Sequence, residues 1–387
     1  MKTLLLRIFC LLAVSILLLS ACSPKLEAAS VETPSEDEVG TIPPGEEPAA
    51  EHAGSGFTVS DALGREVIFE KPPQRFVLTG KAWFMLADAI YLFPEARELL
   101  VGIGKTTLQG VMGFFSVVDP GLSERTLLER DATVDDILSL RPDVVLMKSY
   151  LRESQGMPLE ELGIPVVYLD FETPDQYQRD LQTLGELFQN EARADSLKAF
   201  FRDQVELVSK KTASLADENK PQVLLVYYDD SAGSAAVKVP PLSWIQVIMI
   251  EMAGGIPVWK EIELGGGWTE VNFEQIAAWN PEKIFVVSYD RDVEDVVDLL
   301  EADLNWQALD AMRNGELYAF PMDYINWDQA DTRWILGFSW LATRIQPELF
   351  ADLDLSLLTQ EFFTELYGLD TAVFETEILP LIEGDYP

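Results

Sequence analysis

Basic side chains follow the predicted carboxyl ends of several buried strands. The chain has only 28 Lys and Arg against 65 Asp and Glu, so the positions of its bases carry information. Aromatic residues share the same loops. In open α/β sheets, ligands bind outside the carboxyl ends of the strands. The candidate ligand-binding residues are therefore Lys81, Trp83, Lys105, Lys148, Arg152, Lys238, Trp268, Arg291, Tyr324, Trp327 and Arg333.

Bases beside flat aromatic walls suit an anionic ligand that is partly aromatic or chelated, because Arg pairs with carboxylates and stacks on rings. For any one base, the simpler interpretation is that it neutralises a nearby acid; for the set, binding is favoured. Loops at 229–233 and 265–267 contain glycines at the equivalent place in the second half. Glycine allows a ligand to approach the backbone closely, and ordinary turns are the competing interpretation.

The sequence has few residues that could catalyse a reaction or ligate a metal ion. The two cysteines are Cys10 and Cys22, and the single histidine is His52. The chain after them therefore has no thiolate or imidazole ligand, no Ser-His-Asp triad and no Cys-His pair. No carboxylate pair stands out among so many acids. We assign no catalytic residue, no resident metal and no cofactor, and we expect a protein that is not an enzyme.

One short motif is similar to the end of a nucleotide-binding P-loop. Residues 102–107 read Gly-Ile-Gly-Lys-Thr-Thr, but the P-loop pattern requires a glycine at the position where Leu99 stands. We interpret the segment as a loop at the end of a strand.

Length and charge limit the remaining functions. The 387 residues are enough for about two domains, and 48% apolar residues can form real cores. A net charge of −37 argues against nucleic acid as a partner, because binding phosphates requires basic surface.

The first 56 residues read as an export signal and a tether. Residues 1–21 have two early bases, an apolar run and a small-residue end, which is typical of a secretory signal peptide. The sequence Leu-Ser-Ala-Cys at 19–22 resembles the lipobox of bacterial lipoproteins, which makes Cys22 the lipidated N-terminus. Residues 23–56 are rich in Pro, Glu, Ala, Gly and Ser, so 22–56 is predicted to be a flexible acidic tether to the membrane.

Short apolar strands alternate with helices from residue 57 onward, which predicts parallel α/β layering. A hairpin turning near 63–64 opens the folded part. The predicted strands are 76–79, 99–103, 144–147, 164–169, 222–227, 284–287 and 317–320. The predicted helices are 82–92, 134–140, 158–162, 244–252, 273–278, 293–302, 306–312, 333–343 and a helical tail over 357–381.

Two features indicate two similar lobes. The helix, Pro-acid turn and strand at 134–146 recur at 271–286, which favours an internal duplication. Between the halves, apolar residues at three-and-four spacing predict one long helix over 173–218. Such a helix would span roughly 60 Å. It is either a spacer that joins two lobes or an ordinary long surface helix of one domain. The expected domains are an N-terminal lobe at 57–172, a backbone helix at 173–219 and a C-terminal lobe at 220–387.

These segments together resemble the substrate-binding proteins of iron–siderophore, haem and cobalamin ABC importers. The segments are the lipobox, Pro-Pro-Gln-Arg-Phe-Val-Leu at 72–78, the helix–strand unit at 134–146, Leu-Gly-Ile-Pro-Val-Val at 162–167, the glycine pair 254–255 and Asn-Gly-Glu-Leu-Tyr-Ala-Phe at 314–320. The resemblance implies two Rossmann-like α/β lobes with mainly parallel sheets, joined by one helix, with the ligand in the cleft and only small closure.

The resemblance also implies that an acid on each lobe meets arginines of the membrane permease. Glu251 matches the acid of the second lobe. In the first lobe the matching position is Phe84, which departs from the pattern, and Asp88 one turn later is the substitute. Residues 327–334 resemble the last pocket loop of the family, where Arg333 is the strongest candidate.

We therefore expect a lipid-anchored, extracytoplasmic, monomeric protein that binds a ferric siderophore or similar metal chelate. Its partners would be an ABC permease and its ATPase. A molybdate-like oxyanion, a corrinoid or haem are alternative ligands in the same fold. An exported hydrolase and a ligand-sensing lobe of a receptor are alternatives from other classes. The sequence leaves open the ligand, its affinity, the membrane that carries the anchor and the part of Asp88 in docking.

Overall fold

The computed structural model describes residues 56–231, 233, 235–262 and 265–387. The predicted signal peptide, the lipidation site Cys22 and the tether with His52 lie outside the described residues, as does Ala232 in the loop at 229–233. Among the described residues, no helix is both long enough and apolar enough to cross a membrane.

The first lobe begins with the predicted hairpin, in which two antiparallel strands turn through Gly64 at φ 70°. Strands and helices then alternate. The elements are β1 (Phe57–Ser60), β2 (Glu66–Phe69), β3 (Phe76–Leu78), α1 (Trp83–Ile90), α2 (Ala96–Leu99), β4 (Leu100–Gly104), α3 (Gln109–Val118), β5 (Thr126–Leu128), α4 (Val134–Ser139), β6 (Val144–Lys148), α5 (Met157–Glu161) and β7 (Val166–Leu169).

A parallel sheet forms the centre of this lobe, in the order β5-β4-β3-β6-β7. Its strands β3, β6 and β7 are buried at every position, as expected for strands covered by helices on both faces. The predicted α/β layering is confirmed. Helix α3 was not predicted, because its Gly110 and Gly113 are poor helix formers.

The predicted single helix over 173–218 is wrong: the segment forms α6 (Pro174–Phe188) and α7 (Glu191–Thr212). Gln189 adopts the left-handed conformation at φ 55°, which ends α6. The side chain of Asn190 accepts a hydrogen bond from the backbone N–H of Arg193 at 3.1 Å and so caps the start of α7. A Cβ on Gly185 would lie 2.4 Å from the Cβ of Ala194, so the glycine lets the two helices fold back on each other.

Helix α7 carries the chain from the first lobe to the second. Near its start, Arg193 donates to the carbonyl of Leu92 in the first lobe at 2.9 Å. At its end, the hydroxyl of Thr212 donates to the carbonyl of Met252 in the second lobe at 2.8 Å. The 22 residues of α7 correspond to about 33 Å, which is about half the span expected from the unbroken helix.

The second lobe repeats the alternation of strands and helices and ends in a helical tail. Its elements are β8 (Gln222–Asp229), β9 (Ala236–Val239), α8 (Ile245–Met252), β10 (Ile256–Pro257), β11 (Thr269–Val271), α9 (Phe273–Trp279), β12 (Lys283–Val287), α10 (Val293–Ala302), α11 (Asp310–Asn314), β13 (Leu317–Ala319), α12 (Trp334–Ile345), α13 (Leu355–Glu361) and α14 (Thr371–Val373).

The second sheet has the order β11-β9-β8-β12-β13, with β10 also paired to β8. Strands β8, β12 and β13 are parallel, while β9 and β11 add an antiparallel edge. The fold is therefore two α/β lobes with mainly parallel sheets, as the resemblance implied.

The internal repeat is also visible in the structure. Helices α4 and α9 each begin with a capping box, at Thr133 and Asn272. Each is followed by a non-glycine residue with positive φ, Arg141 at 49° and Asn280 at 43°. The strands that follow, β6 and β12, each pair with the first sheet strand of their own lobe. The two halves thus share local caps as well as topology, which supports duplication.

Candidate ligand-binding cleft

A cavity of about 670 Å³ lies between the two lobes. The residues that line it follow the carboxyl ends of strands β3, β4, β12 and β13, with a contribution from the C-terminal tail. This is the edge where open α/β sheets bind ligands. The lining residues are Phe84, Thr107, Leu108, Gly110, Val111, Tyr289, Asp290, Met322, Asp323, Tyr324, Ile325, Asn326, Gln329, Leu381 and Glu383.

Two glycines of α3 bring the lobes into direct contact at one wall of this cavity. A Cβ on Gly110 would lie 2.2 Å from the backbone oxygen of Tyr324, and a Cβ on Gly113 would lie 2.8 Å from the Cε1 atom of the Tyr324 ring. Only residues without side chains fit here. The spacing Gly110-x-x-Gly113 is the sequence signal for this contact.

A buried ionic cluster closes the base of the lobe interface. The guanidinium of Arg333 contacts Asp88 of α1 at 3.0 Å and Asp323 of the second lobe at 2.8 Å. All three side chains are fully buried. The Arg333 guanidinium also lies 4.0 Å from the centre of the Phe114 ring. Burial alone would lower the pKa of Arg333, but Asp323 and Asp88 raise it well above its usual value.

This cluster corrects two sequence predictions. Arg333 was predicted to bind ligand, yet its charge is already balanced by two carboxylates in a site without solvent. Asp88 was predicted to dock the permease, yet it is fully buried. It accepts hydrogen bonds from the backbone of Thr332 at 3.0 Å and from the Tyr367 hydroxyl at 2.8 Å. A docking residue must reach the surface, so the predicted role of Asp88 is wrong.

Asp331 adds a third carboxylate to the cluster. It is fully buried and accepts a hydrogen bond from the backbone N–H of Arg333 at 2.9 Å. Burial and the neighbouring Asp88 raise the pKa of Asp331 well above its usual value. The Asp331 carboxyl therefore holds a proton more readily than an exposed carboxyl, because burial and the neighbouring Asp88 disfavour its charged form.

Most of the other predicted bases are also paired with acids. Lys105 pairs with Glu129, and Lys148, almost fully buried, pairs with Glu172 at 3.0 Å. The remaining pairs are Arg152–Glu160 at 3.3 Å, Lys238–Asp229 at 2.5 Å and Arg291–Asp230 at 2.9 Å. Lys81 is exposed. None of these bases lines the cavity, whose described charged residues are Asp290, Asp323 and Glu383. The prediction that these bases surround the ligand is therefore wrong for this cavity.

The predicted aromatic residues are divided between the cavity and its surroundings. Tyr324 lines the cavity. Trp83 and Trp327 are buried, and the Trp327 indole donates to Asp323 at 2.9 Å. Trp268 is half-buried, with its ring 6.1 Å from that of Tyr289. Whether these side chains touch a ligand stays a prediction.

Tyr289 is one of the aromatic residues in the predicted ligand-binding loops; it follows β12 and lines the cavity. Its ring lies 4.6 Å from that of Tyr227 and 6.1 Å from that of Trp268, and its hydroxyl donates to Asp328 at 2.6 Å. Burial raises the pKa of Asp328 to about 6. Hydrogen bonds from Tyr289 and Gln246 lower this pKa, but their effect is smaller than that of burial. Burial and Asp328 raise the pKa of Tyr289 well above its usual value, so it remains a protonated donor.

Glu251 stands at the end of α8 with an exposed side chain. Its predicted docking role remains a prediction. Among the described residues, no group of three or more His, Cys, Asp and Glu side chains is arranged to hold a metal ion. The cavity is lined by aromatic rings and carboxylates, which can contact a bound ligand.

Comparison with known proteins identifies relatives across most of the described chain. Residues 125–324 match the family model described as periplasmic binding protein. The molybdate-binding protein MolA of Haemophilus influenzae is 23% identical over 257 residues, which cover 60% of this chain and 69% of MolA. The vitamin B12-binding protein of Pectobacterium atrosepticum is 23% identical over 219 residues, covering 54% of this chain and 75% of that protein.

Solved structures share the fold. A periplasmic solute-binding protein from Veillonella parvula superposes with a TM-score of 0.68 at 24% identity, covering 84% of this chain and 97% of that one. The structure of MolA with molybdate, described as the cognate binding protein of an ABC transporter, gives a TM-score of 0.63 at 19% identity, covering 81% and 98%.

Proposed function

Because this chain belongs to the periplasmic binding protein family, it is a solute-binding protein of an ABC transporter, and we propose that it captures a metal chelate in the cleft between its lobes. The observation that carries the proposal is the cavity of about 670 Å³, to which both lobes contribute. Cavities of roughly 300–1,000 Å³ hold drug-sized organic ligands. A siderophore-like complex has that size.

A bare oxyanion fits this cavity less well, although MolA is named for binding molybdate. Oxyanions are held by Arg, Lys or convergent backbone N–H groups. No described residue that lines the cavity is basic. A corrinoid is itself a metal chelate with a broad apolar face, and the aromatic rings of Phe84, Tyr289 and Tyr324 suit it. A corrinoid therefore belongs to the proposed ligand class. The similarity to a vitamin B12-binding protein is consistent with such a ligand.

Capture needs only binding and release, so the protein performs no reaction on its solute. The buried cluster around Arg333 joins the lobes at their base, and the contact of Tyr324 with Gly110 and Gly113 joins them at the cavity wall. Both contacts favour small closure around the ligand rather than wide opening, because each is closely packed in the described state.

We further propose that the mature protein is a monomer attached to a membrane by the lipidated Cys22. Residues 22–56 act as the tether, 57–172 and 220–387 as the lobes, and 173–219 as the connection between them, with α7 as its rigid part. The solute passes to the permease and ATPase of an ABC importer. Glu251 on the second lobe contacts the permease, since its side chain is exposed.

Mass spectrometry and metal analysis of protein purified from its native host test the ligand class. We expect a co-purifying organic molecule with a stoichiometric metal. Thr107→Trp should abolish co-purification, because Thr107 is exposed and lines the cavity. The matched control Thr58→Trp lies on the exposed face of β1 and should retain the solute. Loss of solute in both variants, or retention in both, contradicts the cleft as the binding site.

A further inference from the structure

The cavity contains carboxylates without basic partners. Asp323 is neutralised by Arg333, 2.8 Å away. Asp290 is exposed, and its carboxylate accepts a hydrogen bond from the Tyr227 hydroxyl at 2.8 Å. Within the described part of the chain, neither Asp290 nor Glu383 forms an ion pair with Lys or Arg. These two carboxylates therefore leave the cavity with uncompensated negative charge.

Two candidate bases of the second lobe are committed to other acids. Arg291 directly follows Asp290, but its guanidinium pairs with Asp230 at 2.9 Å. Lys238 pairs with Asp229 and lies 5.6 Å from the centre of the Tyr227 ring. An anionic solute would have to break such pairs before it could gain a partner, at a cost that offsets the new contact.

Further acids deepen the negative potential at the tail side of the cavity. Burial, followed by Asp292 and then Glu294, raises the pKa of Glu383. The Glu294 carboxylate also accepts a hydrogen bond from the backbone N–H of Gly384 at 3.3 Å. Like charges held this close repel one another, and a bound cation would relieve that repulsion.

A further carboxylate, that of Asp328, lies behind the cavity-lining Tyr289 and does not itself line the cavity. Asp328 is fully buried, and one of its oxygens, Oδ1, has no hydrogen-bond partner among the described residues. Its other oxygen accepts from the hydroxyl of the cavity-lining Tyr289. Asp328 therefore places a further carboxylate close to the cavity, on the far side of Tyr289.

Aromatic rings complete the environment. Phe84 comes from the first lobe, and Tyr289 and Tyr324 come from the second. The faces of such rings attract cations, and the attraction grows when water is excluded. Carboxylates and aromatic faces together form a setting that stabilises positive charge and disfavours negative charge.

We propose that the cleft selects a solute with net positive charge, such as a cationic metal complex with flat apolar faces. This proposal rests on the proposed function, since it assigns the charge of the solute captured in the same cleft. It differs from the sequence-based expectation of an anionic chelate. The negative charge of Asp290 and Glu383 determines the selection, and the aromatic rings supply contact area.

Titration calorimetry with inert cobalt(III) complexes of different charge tests the assignment. The probes are the cationic tris-bipyridine complex, the neutral tris-acetylacetonate complex and the anionic tris-oxalate complex. We expect the cationic probe to bind most tightly and the anionic probe most weakly. Raising the salt concentration should weaken binding of the cation, because screening reduces attraction between partly exposed charges.

The double variant Asp290→Asn with Glu383→Gln separates charge from shape. It should weaken binding of the cationic probe about tenfold, which corresponds to about 1.4 kcal/mol, and leave the neutral probe unchanged. The control variant Glu98→Gln with Asp298→Asn removes the same charge from exposed sites that do not line the cavity. It should change neither affinity.

Three results would overturn this assignment. Tighter or equal binding of the oxalate complex refutes the charge selection but leaves the cleft as a binding site. An unchanged affinity of the double variant for the cationic probe likewise refutes the charge selection and leaves the cleft as a binding site. Binding of none of the three probes refutes the proposed capture of metal chelates, and the charge assignment falls with it.

Discussion

Replacing Arg333 by Met should destabilise the protein by about 3–5 kcal/mol. The guanidinium contacts Asp88 at 3.0 Å and Asp323 at 2.8 Å, and all three side chains are fully buried. Removing one partner of a buried ion pair typically costs about 3–5 kcal/mol, because the remaining charge stays buried without compensation. Here two carboxylates lose their cation, so the upper part of that range applies. Typical domains have about 5–15 kcal/mol of stability in total.

Urea denaturation of residues 56–387 measures this effect as a change in the free energy of unfolding. The matched control is Arg130→Met, since Arg130 is exposed and forms no ion pair among the described residues. Its effect should stay within about 0.5 kcal/mol. Because Arg333 joins the two lobes, the Met variant should also unfold with a broader transition if the lobes separate. A loss below about 1 kcal/mol for Arg333→Met would refute the cluster as a stabilising contact between the lobes.

Three further predictions follow from single side chains. Asp328 has a folded-state pKa of about 6 against its usual 3.8, so the folded state holds the proton more tightly. Stability should fall by up to about 3 kcal/mol as pH rises from 4 to 6, and Asp328→Asn should flatten that slope in pH-dependent urea melts. Gly110→Ala places a Cβ 2.2 Å from the Tyr324 backbone oxygen, so it should cost about 1–3 kcal/mol in thermal unfolding; an unchanged melting temperature would contradict the close lobe contact. Glu251→Lys should leave solute affinity intact yet reduce uptake in a transport assay, while a loss of affinity would exclude a pure docking role.

The sequence predicted local structure where caps and periodicity were clear. Thr133 and Asn272 begin helices with capping boxes, and both are followed by buried strands, so the repeat could be recognised. The break between the helices at Gln189 and Asn190 could not be recognised, because the apolar stripe continues across it from Leu187 to Leu197. Gln189 is left-handed at φ 55° without being glycine, so its residue type does not signal the end of α6.

The candidate cleft lies at the predicted edge of the sheets, but the bases predicted to bind ligand do not line it. Sequence order reveals that a base follows a strand, but it does not reveal the acid that will face it. Lys148 meets Glu172 and Arg333 meets Asp88, residues far apart in the chain. Glu383, which lines the cavity, comes from the tail and had no signal of its own. Such pairings depend on tertiary packing, which a single sequence does not encode locally.

The position of the bound solute is the most direct test of the account. Crystals of protein purified with its natural solute, measured at the absorption edge of the metal, would locate the chelate by anomalous scattering. We predict one strong peak in the cavity between Phe84 of the first lobe and Tyr289 of the second. A peak outside this cavity, or a bound solute without metal, would contradict the capture of a metal chelate between the lobes.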